Sequence, residues 1–193
     1  MKKLIEEITR RIEHHHDIYS IPVADLMWEE ILFRSLKVVG ETGAIWDAGS
    51  HAIGADILAT KYGDISCKTG TMKYVKKYDT TYLKLNGSRT TKYKTIEEKA
   101  EFFAIKKEDV YFCLARNEKE WKRGEKKYYL CVFKTLDHAG LEWEETFGKS
   151  GESTGWSASN DYMNCKISKS MSDQLWTELK EDYIDEEYPI TIR

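Results

Sequence analysis

Residues 47–70 read DAGSHAIGADILATKYGDISCKTG, and this stretch decides the fold. Small residues (Gly49, Ser50, Gly54) surround His51, and Asp56 then opens the apolar run Ile57-Leu58. Tyr62-Gly63 reads as a turn, after which Asp64, Ile65, Ser66, Cys67 and Lys68 alternate up to Thr69-Gly70. Two β-type runs on either side of a glycine turn predict a hairpin. Period-2 alternation puts Asp64, Ser66 and Lys68 on one face, with Ile65 and Cys67 on the other. An aspartate at the head of the first strand then stands near a lysine on the second.

The hairpin resembles the core of the PD-(D/E)xK nuclease superfamily, to which most type II restriction endonucleases belong. In that pattern an Asp opens one strand, and an acid, any residue and a Lys follow on the next. Asp56 matches the Asp and Lys68 the Lys, while Ala55 stands in place of the Pro and Ser66 in place of the second acid. The resemblance covers residues 22 to 70. It implies a restriction-endonuclease-like core and catalytic roles for Asp56, Ser66, Lys68 and Glu30. It also implies a magnesium site at Asp56, Glu30 and Cys67.

Hydrolysing a phosphodiester requires neutralising the phosphoryl oxygens, generating hydroxide near neutral pH and protonating the leaving oxygen. A hard divalent cation on carboxylate and carbonyl oxygens serves the first two needs, and magnesium suits such a site because it keeps waters of its own. A lysine beside it stabilises developing charge and orients the attacking water. The plain alternative is a surface hairpin with an exposed Asp and a Lys whose stem lies along the sheet.

At 193 residues, 41% hydrophobic and 33% charged, the chain is expected to fold as one soluble domain spanning residues 1–193. No apolar stretch reaches membrane-spanning length, and MKKLIEEITRRIEHHH lacks the uninterrupted apolar segment of a signal peptide, so a cytoplasmic location is expected. Cys67, Cys113, Cys131 and Cys165 are scattered singly, which favours buried free thiols over a zinc site.

The net charge of −3 argues against nonspecific coating of nucleic acid, but the distribution is uneven. Residues 61–134 carry 19 Lys and Arg against 10 Asp and Glu, a balance of +9, which leaves −12 elsewhere. Lys73, Lys76, Lys77, Arg89, Thr90 and Lys92 directly follow the hairpin and are interleaved with Tyr74, Tyr78, Tyr82 and Tyr93. That placement suits a surface for double-stranded DNA. A solvated face is the commoner origin of such a charge run.

Upstream, residues 2–16 predict an amphipathic helix with Leu4, Ile5, Ile8 and Ile12 on one side, ending in a solvated His14-His15-His16. After Pro22 a second helix runs to Gly40. Its apolar face is read as Val23, Leu26, Met27 and Phe33, with Glu30 inside it and Glu29 at the margin. In the resembled family this helix commonly supplies a metal-binding Glu, which points to Glu30 with Glu29 as runner-up; Asp64, two residues along the strand from Ser66, is the third candidate for the missing acid. An ion pair with Arg34 one turn on is the ordinary alternative. Asp47 reads as a turn former, and His51 is open to either a structural or a catalytic role.

Downstream, Thr80–Leu85 predicts a strand and Asn86–Thr91 a turn whose Arg89 is suited to reading guanine. Thr95 and Glu98 form a capping box before a helix over Ile96–Ile105. The runs 110–115 and 128–133 predict central strands, with a charged hairpin loop between them. Leu136–Phe147 is read as helical and Gly148–Asn160 as a flexible loop carrying Trp156. Asn164–Ile167 is read as a short strand, and Ser170 or Ser172 as the cap of a helix over Asp173–Tyr183 before an acidic tail.

The fold expected is α/β or α+β, a mixed central sheet flanked by helices. The function expected is a magnesium-dependent endonuclease cutting duplex DNA at a short site, a type II restriction enzyme working as a homodimer because palindromic sites match twofold symmetry. A junction-resolving or repair nuclease, a DNA-binding domain without chemistry and a noncatalytic interaction domain are the alternatives.

Overall fold

The computed structural model describes residues 1–46, 55–90, 92–105, 108–134, 136, 138–171 and 173–192. The chain divides into two compact units. The first comprises Met1–Met72, Glu108–Thr135 and Ile184–Arg193, and the second Lys73–Lys107 and Leu136–Tyr183. Asp47 and His51 lie outside the described residues. No helix among the described residues is long and apolar enough to cross a membrane.

The first unit is a mixed sheet flanked by helices. Its strands run in the order β11 (Glu186–Thr191), β6 (Lys127–Lys134), β5 (Val110–Asn117), β3 (Gly63–Val75, up to Met72 in this unit), β2 (Ile57–Ala59), β1 (Ile45–Trp46). β3 and β5 pair in parallel and the other neighbours are antiparallel. A strand between two neighbours buries both faces, which is why VYFCLA is apolar throughout and Tyr111 to Ala115 are all buried. The hairpin and both apolar runs stand where the sequence predicts them. Pro189 falls in β11, which pairs with β6 alone, where a missing N–H is tolerated.

Helices α1 (Lys2–Ile18) and α2 (Asp25–Val38) pack on the face that carries Ile65, Cys67, Phe112, Leu114 and Leu130. α1 contributes Leu4, Ile8 and Ile12 at helical spacing, as its periodicity predicts. α2 is rotated from the sequence expectation. Its buried stripe is Trp28, Leu32 and Leu36, whereas Leu26 is 55% exposed. The Trp28 indole N–H also donates to the Phe112 carbonyl at 2.9 Å, so burying the largest ring and pairing its one donor outweigh the Leu26–Met27–Phe33 arc.

The histidine run is packed rather than solvated, apart from exposed His14. His15 is buried with Nε2 3.0 Å from the Ile21 carbonyl, and His16 Nε2 lies 2.9 Å from the Tyr128 hydroxyl. That hydroxyl accepts from the Val23 N–H at 3.0 Å. His16 Nδ1 lies 3.1 Å from the Tyr19 carbonyl, which can only accept, so in the neutral ring Nδ1 carries the proton and Nε2 accepts from the Tyr128 hydroxyl.

The expected loop over 116–127 holds a short helix, α4 (Glu118–Lys122), capped by the Asn117 side chain, which accepts from the Lys119 N–H at 3.0 Å. The acidic tail is strand β11, paired with β6.

The second unit is an antiparallel sheet in the order β4 (Thr80–Arg89), β10 (Gln174–Lys180), β9 (Met163–Ser168), β8 (Ser153–Ser159), β7 (Glu144–Phe147), together with helix α3 (Ile96–Ile105). The Thr95–Glu98 capping box forms: the Glu98 carboxylate accepts from the Lys94 and Thr95 N–H groups, and Thr95 Oγ1 accepts from the Glu98 N–H.

Several expectations fail in this unit. The turn predicted over 86–91 is the continuation of β4 to Arg89. The described part of Leu136–Phe147 contains no helix and ends in β7, and the loop read over 148–160 contains β8. Ser172 lies outside the described residues, Ser170 sits in a 3-10 turn, and the helix read over Asp173–Tyr183 is β10 followed by a 3-10 turn over Glu181–Tyr183. QLWTELK is rich in helix formers, yet it buries Leu175, Thr177 and Leu179 alternately and pairs with a strand on each side, which overrides propensity. β8 carries Gly155, where a side chain would collide with the Ile167 carbonyl of β9.

Two outcomes are expected. Leu32→Ala should lower the denaturant-derived stability by about 2–5 kcal/mol. Burial, ahead of neighbouring charge, holds the His16 imidazole below its usual pKa. The unfolded chain therefore binds the proton more readily. Stability should be full above about pH 6.5 and decline as pH falls through that value toward the lowered one. Replacing His16 by Gln should flatten this part of the stability–pH curve.

Candidate active site

The hairpin β2–β3 is built to hold Asp56 still. Gly63 opens β3 at φ +73°, and a side chain there would collide with the Asp109 carboxylate. That carboxylate accepts from the Asp64 N–H at 2.9 Å, while the Asp109 N–H donates to the Asp64 carbonyl at 2.9 Å. Register then follows, with Ile57 opposite Ile65, and the Asp56 N–H donates to the Ile65 carbonyl at 2.9 Å. Asp56 Oδ2 accepts from the Cys67 N–H at 2.6 Å and from the Ser66 hydroxyl at 3.3 Å. Lys68 Nζ stands 3.9 Å from the same oxygen, an ion pair too long for a hydrogen bond. The two side chains are 25% and 20% exposed, so both are partly desolvated yet open to a ligand.

The rotation of α2 decides which helix carboxylates join them. Asp25 Oδ1 accepts from the Thr69 N–H at 3.2 Å and from the Thr69 hydroxyl. Glu29, one turn on, accepts from the Trp46 indole N–H at 3.2 Å. Burial pushes the Glu29 carboxyl above its usual range. The Trp46 hydrogen bond opposes this, the charge of Asp56 raises it further, Lys68 lowers it, and Asp25 raises it again. Glu29 therefore shares the field of Asp56 and Lys68.

Glu30 is placed differently from the expectation. Its carboxylate pairs with Arg34 at 2.7 Å, its side chain is 43% exposed, and it lines a groove with Arg10, His14 and Tyr19 of the α1 side. The ordinary i,i+4 pair is what forms, because Trp28 rather than Met27 faces the sheet. Asp64 stands at the turn end of the hairpin, opposite Leu58. The Cys67 thiol is buried and pushed well above its usual pKa by that burial, with Asp56 and Glu29 adding to it. A neutral thiol is a poor partner for a hard cation, and the Cys67 group that reaches Asp56 is its N–H.

Among the described residues no group of three or more His, Cys, Asp or Glu is gathered closely enough to enclose a metal ion. Magnesium binds through one or two carboxylates and keeps several waters, so Asp56 and Glu29, both hard oxygen donors, fit its chemistry.

The basic stretch is partly as expected. Lys73, Lys76, Lys77 and Lys92 are exposed. Lys73 lies 3.8 Å from Glu178, and Lys77 and Lys92 sit over the rings of Tyr78 and Tyr93 at 4.9 and 5.9 Å. Thr90 is fully buried and its hydroxyl donates to the Asp173 carbonyl, so it braces the second unit instead of meeting DNA. The side chain of Arg89 and all of Thr91 lie outside what is described. Trp156, read as a loop ring, lies between Lys99 at 5.3 Å and Lys169 at 4.6 Å.

Sequence reasoning missed Asp25, Trp46 and Trp176, and read Lys84 only as one cation of the basic stretch. The i,i+4 spacing of Asp25 and Glu29 was the available signal for the first. The contacts of the others depend on pairings far apart in the chain. No protein family, no curated protein and no solved structure matches this chain.

Thr90→Val should cost about 1 kcal/mol in a denaturant titration, the usual worth of one hydrogen bond, and leave duplex affinity unchanged in a gel-shift assay.

Proposed function

We propose that this chain is a magnesium-dependent endonuclease that hydrolyses phosphodiester bonds of duplex DNA at a short specific site, in the manner of a type II restriction enzyme. The observation that carries the reading is the Asp56–Lys68 pair on one hairpin, 3.9 Å apart and partly desolvated, with the Glu29 carboxylate in the same field. Carboxylate and ammonium side by side in a site open to ligand supply a cation holder and a charge stabiliser, which serve the neutralising and water-activating needs of phosphodiester hydrolysis.

Asp56 and Glu29 would hold the magnesium ion, which when bound supplies neutralising charge and an activated water. The protein's own groups do the rest. The Cys67 N–H and the Ser66 hydroxyl fix one oxygen of Asp56, so the carboxylate meets its ligand without having to reorganise. The Lys68 ammonium orients the attacking water and faces the charge that develops on the phosphoryl oxygens. Ser66 contributes a donor and no charge, which makes it a positioning residue. Lys73, Lys76, Lys77 and Lys92 are the exposed cations available to the DNA backbone. A homodimer completes the proposal, since two copies related by a twofold axis cut both strands of a palindrome.

A DNA-binding domain without chemistry is the second reading, favoured by the neutral Ser66 at the position of the second acid. Incubating plasmid DNA with the protein and magnesium separates the two. Asp56→Asn and Lys68→Ala should each lower cleavage by about two orders of magnitude or more while the fold is kept. Glu29→Gln should remove most activity and raise the magnesium requirement, and Glu30→Gln and Ser66→Ala should retain more than any of the three. A chain that binds duplex and never cuts it belongs to the second reading, and preference for a four-way junction over a linear duplex would make it a junction-resolving nuclease.

A further inference from the structure

The second unit's sheet has one covered face and one open face. Leu83, Cys165, Ile167, Leu175, Thr177 and Leu179 are buried on the covered side, where His138 Nε2 lies 3.5 Å from Thr177 Oγ1 and its ring 5.8 Å from Phe103 of α3. Register fixes what stands on the other side. In one row Ser157 is opposite Lys166 and Lys166 opposite Trp176, and in the next Asn164 is opposite Glu178 and Glu178 opposite Lys84. These residues and Tyr78 line a groove of about 630 Å³.

The groove is polar except for its rings. Lys84 Nζ lies 4.7 Å from the centre of the Trp176 ring, and Glu178, the one carboxylate lining the groove among the described residues, stands 3.8 Å from Lys73. With that carboxylate paired, Lys84 and Lys166 leave the surface positive. A sheet face meant only for water needs no indole among lysine, serine and asparagine. An indole bordered by ammonium groups is the arrangement that takes a flat ring carrying negative charge at its edges.

We propose that this open face binds an unpaired stretch of nucleic acid, with a base stacked on Trp176 and the flanking phosphates on Lys84 and Lys166. The two lysines stand on the strands either side of that of Trp176 and one row apart, roughly 12 Å from each other by strand spacing and rise, so an ammonium reaches each side of a base laid on the indole. A base displaces Lys84 from the ring toward a phosphate. A stacked base outweighs an exposed cation–π contact, so the exchange favours the base. A duplex does not satisfy this site, because its base faces are covered by their neighbours and the indole has nothing to stack on. The site goes beyond the phosphodiesterase reading and does not depend on Asp56.

The test is fluorescence anisotropy of a labelled oligothymidylate and of a duplex of equal length, on the full chain without magnesium. Trp176→Leu should weaken oligothymidylate binding about tenfold, with Trp176→Phe close to the parent and duplex affinity unchanged. Lys84→Gln and Lys166→Gln should each weaken it and lower the slope of log affinity against log salt by about 0.7. Unchanged oligothymidylate binding in Trp176→Leu, or an equal loss for duplex, overturns the proposal, as does a labelled acidic peptide that binds where oligothymidylate does not. Should Trp176→Leu fail to fold by circular dichroism, photocrosslinking of an iodouracil oligonucleotide to the unaltered chain decides. Attachment at Trp176 supports the site, and attachment elsewhere alone refutes it. Cleavage in magnesium is scored separately, so either reading can fail while the other stands.

Discussion

The rotation of α2 about its own axis is set by Trp28, and the candidate site follows from that rotation. The ring is fully buried and its N–H is spent on the Phe112 carbonyl, in the strand that pairs in parallel with β3. Turning the helix by one residue, about 100°, would carry the ring out of the core and break that bond. Asp25 adds a second anchor through Thr69, one residue beyond Lys68. With the helix held at both points, Glu29 shares the field of Asp56 and Lys68, and Glu30 pairs with Arg34.

The electrostatics of the site reflect this enforced proximity. Burial is the first reason that Glu29 holds its proton more tightly; the Trp46 hydrogen bond opposes it, and the charges of Asp56 and Asp25 add to it while Lys68 counters them. An arriving positive charge would relieve the part of that cost that is electrostatic. The Trp46 indole N–H lowers the cost of keeping Glu29 ionised without neutralising it, so a cation still has something to gain.

What was legible in the sequence was local. The hairpin from Asp56 to Lys68 showed itself because Gly63 and the period-2 pattern that follows it lie within a few residues, and β5 and β6 because strands covered on both faces must be apolar throughout. The rotation of α2 was not legible: Leu26, Met27 and Phe33 make as good an apolar arc on a wheel as Trp28, Leu32 and Leu36, and only the sheet chooses between them. The second unit was harder still. β8 is made of small residues and β10 of helix formers, and both become strands because long-range partners complete their ladders. The Trp176–Lys84 contact joins residues far apart in the chain through such a ladder, so no local pattern announces it.

Ser66 is where the hairpin departs furthest from the nuclease pattern it resembles, and its surroundings give that departure a physical sense. The residue is fully buried and its hydroxyl points at Asp56 Oδ2. A carboxylate in its place would face Asp56 at hydrogen-bond distance inside the protein, with Glu29 and Asp25 already near. Like charges that close cannot all stay ionised without a permanent cation between them. Serine exchanges a charge for a donor, and the helix returns a charge through Glu29. The arrangement moves one negative group from the strand, where it would be buried beside its neighbour, to the helix, where Trp46 and partial exposure make it tolerable. On this account the serine on the strand and the rotation of α2 are one constraint, since a helix turned to carry Glu29 away would leave Asp56 as the hairpin's lone carboxylate beside Lys68.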